Sequence, residues 1–308
     1  MRILLTNDDG LRAPGIVAMY DSLMGHSEWF DAPIGGAETE VVPIAPLTVQ
    51  SATSHGVTFH EPLMIRNERV NDRMRGVAVD GRPADCVKLA LSALWAERFG
   101  EGQRPDLLVS GMNAGANCGI NVIYSGTVAA ALEGAFLGVP SIAVSFHLGT
   151  GTPLFDVAAA HARRAIEVLI ADGLPRAHEC LNINVPRTEI GGGESRSFAE
   201  EQIRKYETSQ APPRDSLPVD FDPTRMPPIS VCPMNTHGLV DRFERRVSPS
   251  GEVYYWSAGY GLDFVGMEAG SDVALMFDRH ITVTPLTYDL TDAGSMDAWR
   301  ARVEQDRS

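Results

Sequence analysis

Residues 1–10 read MRILLTNDDG, an apolar run followed at once by polar residues and a glycine. The run predicts a short buried β-strand over residues 2–6. Asp8 and Asp9 lie where that strand ends, and Gly10 permits the chain to turn there. Neighbouring side chains of an extended strand point to opposite faces, so the two carboxylates converge on one ion only if the turn has already begun. The alternative is a solvated Asx turn that leads into the next helix.

Short apolar runs and helical patterns alternate outward from this strand as far as residue 186. Helices are predicted from residue 83 to about 100, from about 126 onward, and from about 155 to 172, where Gly173 and Pro175 stop the last one. This alternation predicts an α/β fold, with a mostly parallel sheet covered by helices on both faces. The further strands of the sheet are predicted over residues 41–45, 77–79, 106–110, 141–146 and 181–185.

The character of the sequence changes after residue 187, which divides the chain into three predicted parts. Residues 1–187 form the α/β core. Residues 188–228 are rich in proline and glycine and are predicted to be an insertion or a long exposed loop. Residues 229–308 form a C-terminal extension with a hairpin over 247–256 and a strand over 281–286. Because such a hairpin has little core of its own, we expect it to pack on a neighbouring chain in a homodimer or homotetramer.

The composition disfavours several classes of protein. With 26 basic and 40 acidic residues among 308, the formal net charge of −14 disfavours binding to duplex nucleic acid. No apolar stretch reaches the ~20 residues that a membrane span needs, and residues 1–5 are shorter than a signal-peptide core of about 7 to 15 residues. We therefore expect a cytoplasmic protein with no membrane partner. The four cysteines include no Cys-x-x-Cys pair, which indicates buried thiols rather than a zinc ribbon or a redox dithiol.

Polar residues also follow two other predicted strands. Ser51 lies in a hydroxyl-rich loop after residues 41–45, and Asn113 lies in the glycine-rich stretch 111–119. In open α/β sheets, ligands bind at the carboxyl ends of the strands, so the three strand ends are expected to meet there. Carboxylate, hydroxyl and amide oxygens without His or Cys suit Mg²⁺ or Mn²⁺ rather than zinc. Taken alone, the loop of Ser51 is typical of an ordinary surface loop.

A helix N-terminus beside these strand ends is a predicted anion site. Ser125, Gly126 and Thr127 open the helix, and backbone N–H groups flanked by hydroxyls bind phosphate. The pattern is neither the Gly-x-Gly-x-x-Gly of dinucleotide folds nor a P-loop, because the P-loop lysine is missing. The alternative is a structural N-cap preceded by a flexible loop.

Five motifs occur in order along the chain: MRILLTNDDG (1–10), GRPADCV (81–87), SGMN (110–113), YSGTV (124–128) and NINVP (182–186). Together they closely resemble the SurE (survival protein E) family of nucleotidases, and the resemblance resumes at 246–256 and 281–286. It implies a Rossmann-like core with a C-terminal extension that exchanges between subunits. It also implies metal-dependent removal of phosphate from nucleoside 5′- and 3′-monophosphates and, in some members, trimming of polyphosphate.

The resemblance also assigns residues to the site and identifies two departures. The family usually has Asp where this chain has Leu47 and Arg where it has Gln50, so a carboxylate and a guanidinium are absent near the substrate loop. The segment 188–228 is also longer than in the family. Both departures concern substrate preference more than the reaction. The metal ligands implied for one Mg²⁺ or Mn²⁺ ion per subunit are Asp8, Asp9, Ser51 and Asn113, and the residues implied to hold phosphate are Asn113, Ser125, Gly126 and Thr127.

The sequence therefore predicts a metal-dependent phosphomonoesterase acting on nucleoside monophosphates, a 5′-nucleotidase. Two points stay open: whether Asp8 or Asp9 is a general base, and whether water or Asp8 itself attacks phosphorus, the latter giving an aspartyl-phosphate. A non-catalytic nucleotide-sensing module of the same fold is the alternative function.

His55 is expected to be a loop histidine bonded to the backbone rather than a proton donor, and Lys88 is expected to be solvated.

Overall fold

The computed structural model describes residues 1–149, 151–189, 222–240, 242–257, 262 and 264–305, so most of the predicted insertion lies outside the described residues. The strands are β1 (Arg2–Thr6), β2 (Glu40–Pro46), β3 (Met64–Arg69), β4 (Arg75–Asp80), β5 (Leu107–Ala114), β6 (Ser141–Phe146), β7 (Cys180–Val185), β8 (Ile229–Val231), β9 (Phe243–Val247), β10 (Val253–Ser257) and β11 (Ile281–Leu286). Within the described residues, nine of them form one sheet in the order β3-β4-β2-β1-β5-β6-β7-β11-β8.

Six neighbouring strands of this sheet, from β4 through β2, β1, β5 and β6 to β7, run parallel, which confirms the mostly parallel sheet. β3 is antiparallel to β4, and β11 is antiparallel to β7 and parallel to β8. Neither β3 nor β8 is predicted from the sequence, because β3 is an exposed, charged edge strand and β8 has three residues. β8 and β11 show that part of the predicted C-terminal extension completes the main sheet.

Helices cover both faces of the sheet, as predicted. Side chains of β1 alternate between the faces. Ile3 and Leu5 pack with α1 (Pro14–Leu23) and α5 (Phe155–Leu169), and Leu4 packs with α2 (Pro83–Leu89) and α4 (Gly126–Phe136). A π-helical turn, Ala90–Leu94, joins α2 to α3, so the predicted helix from 83 to about 100 is continuous. The helices are α1 (Pro14–Leu23), α2 (Pro83–Leu89), α3 (Trp95–Phe99), α4 (Gly126–Phe136), α5 (Phe155–Leu169), α6 (Asp272–Phe277) and α7 (Met296–Gln305).

β9 and β10 form the predicted antiparallel hairpin, with the turn at residues 248–252. Its apolar side chains lie at the surface: Phe243 is 66%, Tyr255 60% and Trp256 58% exposed. All four cysteines are buried free thiols, as predicted.

Among the helices that the structure describes, none has the length and apolar character needed to cross a membrane.

Candidate active site at the carboxyl ends of the central strands

Asn7 and Gly10 close the turn that follows β1. The Asn7 carboxamide accepts a hydrogen bond from Gly10 N at 3.2 Å and donates one to Gly10 O at 3.0 Å. Gly10 has a φ of +97°, a conformation that glycine adopts without strain. Because Asn7 closes this turn, the carboxylates of Asp8 and Asp9 are left for other partners, and the Asx-turn alternative does not describe them.

Asp8 is a buried carboxylate at the N-terminus of α4. It is 4% exposed, and its Oδ1 accepts a hydrogen bond of 2.6 Å from the Thr127 hydroxyl. Gly126 lies so close that a Cβ there would stand 2.9 Å from the Asp8 Cβ, so a side chain at that position would displace Asp8. Burial raises the pKa of Asp8 from 3.8 to about 6; the Thr127 hydrogen bond opposes this rise, and the charge of Asp9 adds to it.

Asp9 connects the end of β1 to the end of β5. Its Oδ2 accepts a hydrogen bond of 2.9 Å from Ala114 N. Asn113 precedes Ala114, and its Nδ2 donates to Gly115 O at 2.7 Å. This bond uses one of the two Nδ2 hydrogens, so Oδ1 remains available to a cation and the second N–H to an anionic ligand.

Ser51 lies on the loop between β2 and β3, and the backbone holds this segment beside Asp8. Gln50 N donates to Asp8 O at 2.8 Å, so the residue before Ser51 is fixed against the end of β1. Ser51 itself is exposed, and its side chain makes no hydrogen bond to a described residue. Leu47, where the resembled family usually has Asp, packs against the apolar core.

The residues that open α4 differ in their surroundings. Ser125 is the helix N-cap, and its Oγ accepts a hydrogen bond from Val128 N at 3.1 Å. Thr127 is fully buried, and its hydroxyl orients Asp8 rather than facing solvent. The structure thus brings Asp8, Gly126 and Thr127 together and links Asp9 to the Asn113 segment. Among the described residues, neither Ser51 nor Ser125 makes a direct hydrogen bond to the Asp8 or Asp9 carboxylate.

A buried asparagine network fixes the glycine-rich loop after β5. Asn117 O accepts hydrogen bonds from Asn182 Nδ2 at 2.7 Å and Asn184 Nδ2 at 3.1 Å. Asn117 N donates to Asn184 Oδ1 at 2.8 Å, and Asn117 Nδ2 donates to Ser145 Oγ at 2.8 Å. These asparagines are not among the predicted site residues, although polar side chains two residues apart in a buried strand indicate a shared polar face.

Glu133, in the last turn of α4, is bound by two basic side chains. His55 Nε2 lies 2.7 Å from Glu133 Oε2, and Lys88 Nζ donates to Oε1 at 3.1 Å. The prediction for His55 was wrong, because its side chain bonds to a carboxylate rather than to the backbone. The Lys88 side chain is 43% exposed, in keeping with the expected solvation, but it also forms an ion pair. Burial alone would raise the pKa of Glu133, but the hydrogen bonds from His55 and Lys88 lower it below its ordinary value.

The oxygen atoms at these strand ends fit a divalent cation. Neither Asp8 nor Asp9 pairs with a Lys, Arg or His side chain of the described residues. No three His, Cys, Asp or Glu side chains gather at one point in the described ranges, so a metal ion here would need neutral ligands beside the two carboxylates. A dication would also favour the charged form of Asp8, which burial disfavours in the metal-free protein.

The chain is similar to known proteins over nearly its whole length. Residues 3–210 match the family model described as survival protein SurE. The 5′-nucleotidase SurE of Desulforudis audaxviator is 37% identical over 300 residues, which cover 97% of this chain and 96% of the relative. That of Heliobacterium modesticaldum is 38% identical over 293 residues, which cover 95% of this chain and 88% of the relative. The crystal structure of the SurE protein from Aquifex aeolicus is 29% identical with a TM-score of 0.68, covering 97% of this chain and 98% of that one. These matches confirm the resemblance seen in the motifs, and the chain belongs to the SurE family.

Proposed function

We propose that this protein is a divalent-metal-dependent 5′-nucleotidase, a phosphomonoesterase that acts on nucleoside monophosphates. The observation that carries the proposal is the Asp8–Asp9 pair, in which Asp8 is buried against the N-terminus of α4. Neither carboxylate pairs with a basic side chain in the part of the chain that the structure describes, as expected of residues that bind a cation. Relatives 37% and 38% identical bear the name 5′-nucleotidase SurE, which supports the substrate class.

Asp8, Asp9, Ser51 and Asn113 are the residues that would hold one Mg²⁺ or Mn²⁺ ion per subunit. When bound, such an ion supplies positive charge that polarises phosphate and lowers the pKa of a water nucleophile. Thr127 orients the Asp8 carboxylate through its hydrogen bond of 2.6 Å. The backbone N–H groups at the start of α4, with Ser125 and Asn113, would bind phosphoryl oxygens, where negative charge accumulates during the reaction.

Phosphate release from a panel of phosphate esters tests this proposal. The panel contains nucleoside 5′-monophosphates, nucleoside 3′-monophosphates and polyphosphate, each assayed with EDTA and again after Mn²⁺ or Mg²⁺ is restored. We expect metal-dependent release from both kinds of monophosphate, and the polyphosphate arm decides whether the protein also trims that polymer. Nucleotide binding without phosphate release would instead support the nucleotide-sensing module.

The proposed assembly is a homodimer or homotetramer. The β9–β10 hairpin exposes Phe243, Tyr255 and Trp256, and burying these side chains against another copy would remove a large apolar area from water. A monomeric mass at micromolar concentration would contradict the proposal.

The four unpaired cysteines support a reducing compartment, in keeping with the proposed cytoplasmic location.

A further inference from the structure

The loop between β2 and β3, residues 47–63, carries Ser51 and lies wholly within the described residues, none of which is buried along this stretch. Leu47 and Leu63 pack against the apolar core at the two ends of the loop, whereas Val49 and Phe59 between them are 63% and 78% exposed. Apolar packing therefore holds the ends of the loop and contributes little to the position of its middle. Ala52 and Ser54 have φ angles of +56° and +53°, which L-residues rarely hold without support from their surroundings. The position of the middle of this loop therefore depends on its hydrogen bonds to the rest of the protein.

Those hydrogen bonds hold the loop on both sides of Ser51. Before it, Gln50 N donates to Asp8 O at 2.8 Å. After it, Ser54 Oγ donates to Ile123 O at 2.8 Å, just ahead of α4. The segment that carries Ser51 is thus hydrogen-bonded on one side to the residues after β1, which include Asp8, and on the other side to the residues before α4, the helix that carries Thr127.

Glu133 contacts the same loop from the last turn of α4. It follows Gly126, the residue packed against Asp8, by seven positions, so the two lie on one face of the helix about 10 Å apart along its axis. The Glu133 side chain is 7% exposed, and its two oxygens are divided between His55 of the loop and Lys88 of α2. Glu133 lies in the last turn of α4, where a carboxylate, which only accepts hydrogen bonds, cannot cap the free carbonyl groups, so its buried charge has no capping role. Its interactions are with side chains of the loop and of α2.

We infer that Glu133 is a positioning residue, which through His55 holds loop 47–63 so that Ser51 stays beside Asp8 and Asp9. The inference rests on the proposed metal site, in which Ser51 is a ligand. Without the contact between His55 and Glu133, the loop keeps its hydrogen bonds at Gln50, Ser54 and Thr58 but loses its side-chain link to α4. Binding of the ion would then also have to restrain the part of the loop next to Ser51. Affinity would fall accordingly, because ordering a mobile segment opposes binding.

Calorimetric titration of the metal-free full chain with Mn²⁺ tests the inference. His55→Ala and Glu133→Ala each remove one side of the contact, and we expect each to raise the Kd for Mn²⁺ about 10- to 100-fold, as is typical of residues that orient metal ligands. Glu133→Gln keeps an oxygen that can accept the His55 N–H, so its Kd should stay within about threefold of wild type. Lys88→Met is the matched control, since it removes the other partner of Glu133 and leaves the loop contact, and its Kd should also stay within about threefold.

The exposed position of His55, whose side chain is 40% exposed, keeps the test valid if Glu133→Ala fails to fold. Wild-type Mn²⁺ affinity in folded His55→Ala would overturn the inference, as would a loss in Lys88→Met equal to that in Glu133→Ala. Asp8→Asn separates the two proposals. If Asp8→Asn loses Mn²⁺ binding while His55→Ala and Glu133→Ala retain it, the metal site stands and the positioning role is refuted. If the wild-type protein binds no Mn²⁺, both are refuted.

Discussion

Asp8→Asn tests most directly whether Asp8 is a metal ligand. The change is nearly isosteric, and the Asn carbonyl oxygen can still accept the Thr127 hydrogen bond of 2.6 Å, so we expect the fold to persist. It removes one of the two negative charges proposed to face the cation. We expect nucleotide hydrolysis to fall by at least about 100- to 1,000-fold, comparable to losing one strong electrostatic contact in a transition state.

The same change is expected to stabilise the metal-free protein. Burial raises the pKa of Asp8 from 3.8 to about 6. Each pKa unit corresponds to about 1.4 kcal/mol, so ionised Asp8 lowers the unfolding free energy by about 3 kcal/mol above the folded-state pKa. The penalty is absent below pH 3.8, where both states are protonated, and it develops as the pH rises from 3.8 to about 6. Asn carries no charge, so the metal-free variant should be the more stable protein at neutral pH by up to about 3 kcal/mol.

Urea unfolding of both proteins measures these effects, first with EDTA at acid and at neutral pH and then with Mn²⁺. The wild-type protein should gain about 2.7 kcal/mol when Mn²⁺ is present at 100 times its Kd, whereas Asp8→Asn should gain little. Asp31→Asn, at an exposed aspartate, is the control for the loss of a surface charge. An Asp8→Asn protein with wild-type turnover, Mn²⁺ stabilisation and metal-free stability would refute both the ligand role and the buried charge.

Three further substitutions test other parts of the structure. Thr127→Val removes the hydroxyl whose hydrogen bond lowers the pKa of Asp8, so the pKa obtained from the pH dependence of metal-free stability should rise further; an unchanged pKa would contradict the contact. Asn184→Ala leaves the buried Asn117 N without its acceptor, and urea unfolding should show a loss of about 1 to 3 kcal/mol. Trp256→Ser, at a hairpin residue that is 58% exposed, should lower the mass measured by light scattering, and an unchanged mass would argue against the hairpin as the subunit interface.

Local sequence pattern was sufficient to predict the parallel sheet, its two helical layers and the hairpin. The apolar runs at residues 2–6 and 141–146 coincide with β1 and β6, because periodicity depends only on residues close together in the chain. Asp8 and Asp9 could be identified as candidates in the same way, since the end of a parallel strand can be recognised without knowing what packs against it.

Contacts between distant parts of the chain required the tertiary structure. β11 enters the sheet antiparallel to β7, a pairing that no local pattern specifies. The Thr127 hydroxyl donates to Asp8, 119 residues away, and His55 bonds to Glu133, 78 residues away. In a sequence, a hydroxyl or a carboxylate looks the same whether its partner is water, phosphate or another side chain. The packing that buries Asp8 against α4 removes water as its partner, and this burial decides both its hydrogen bond and its raised pKa.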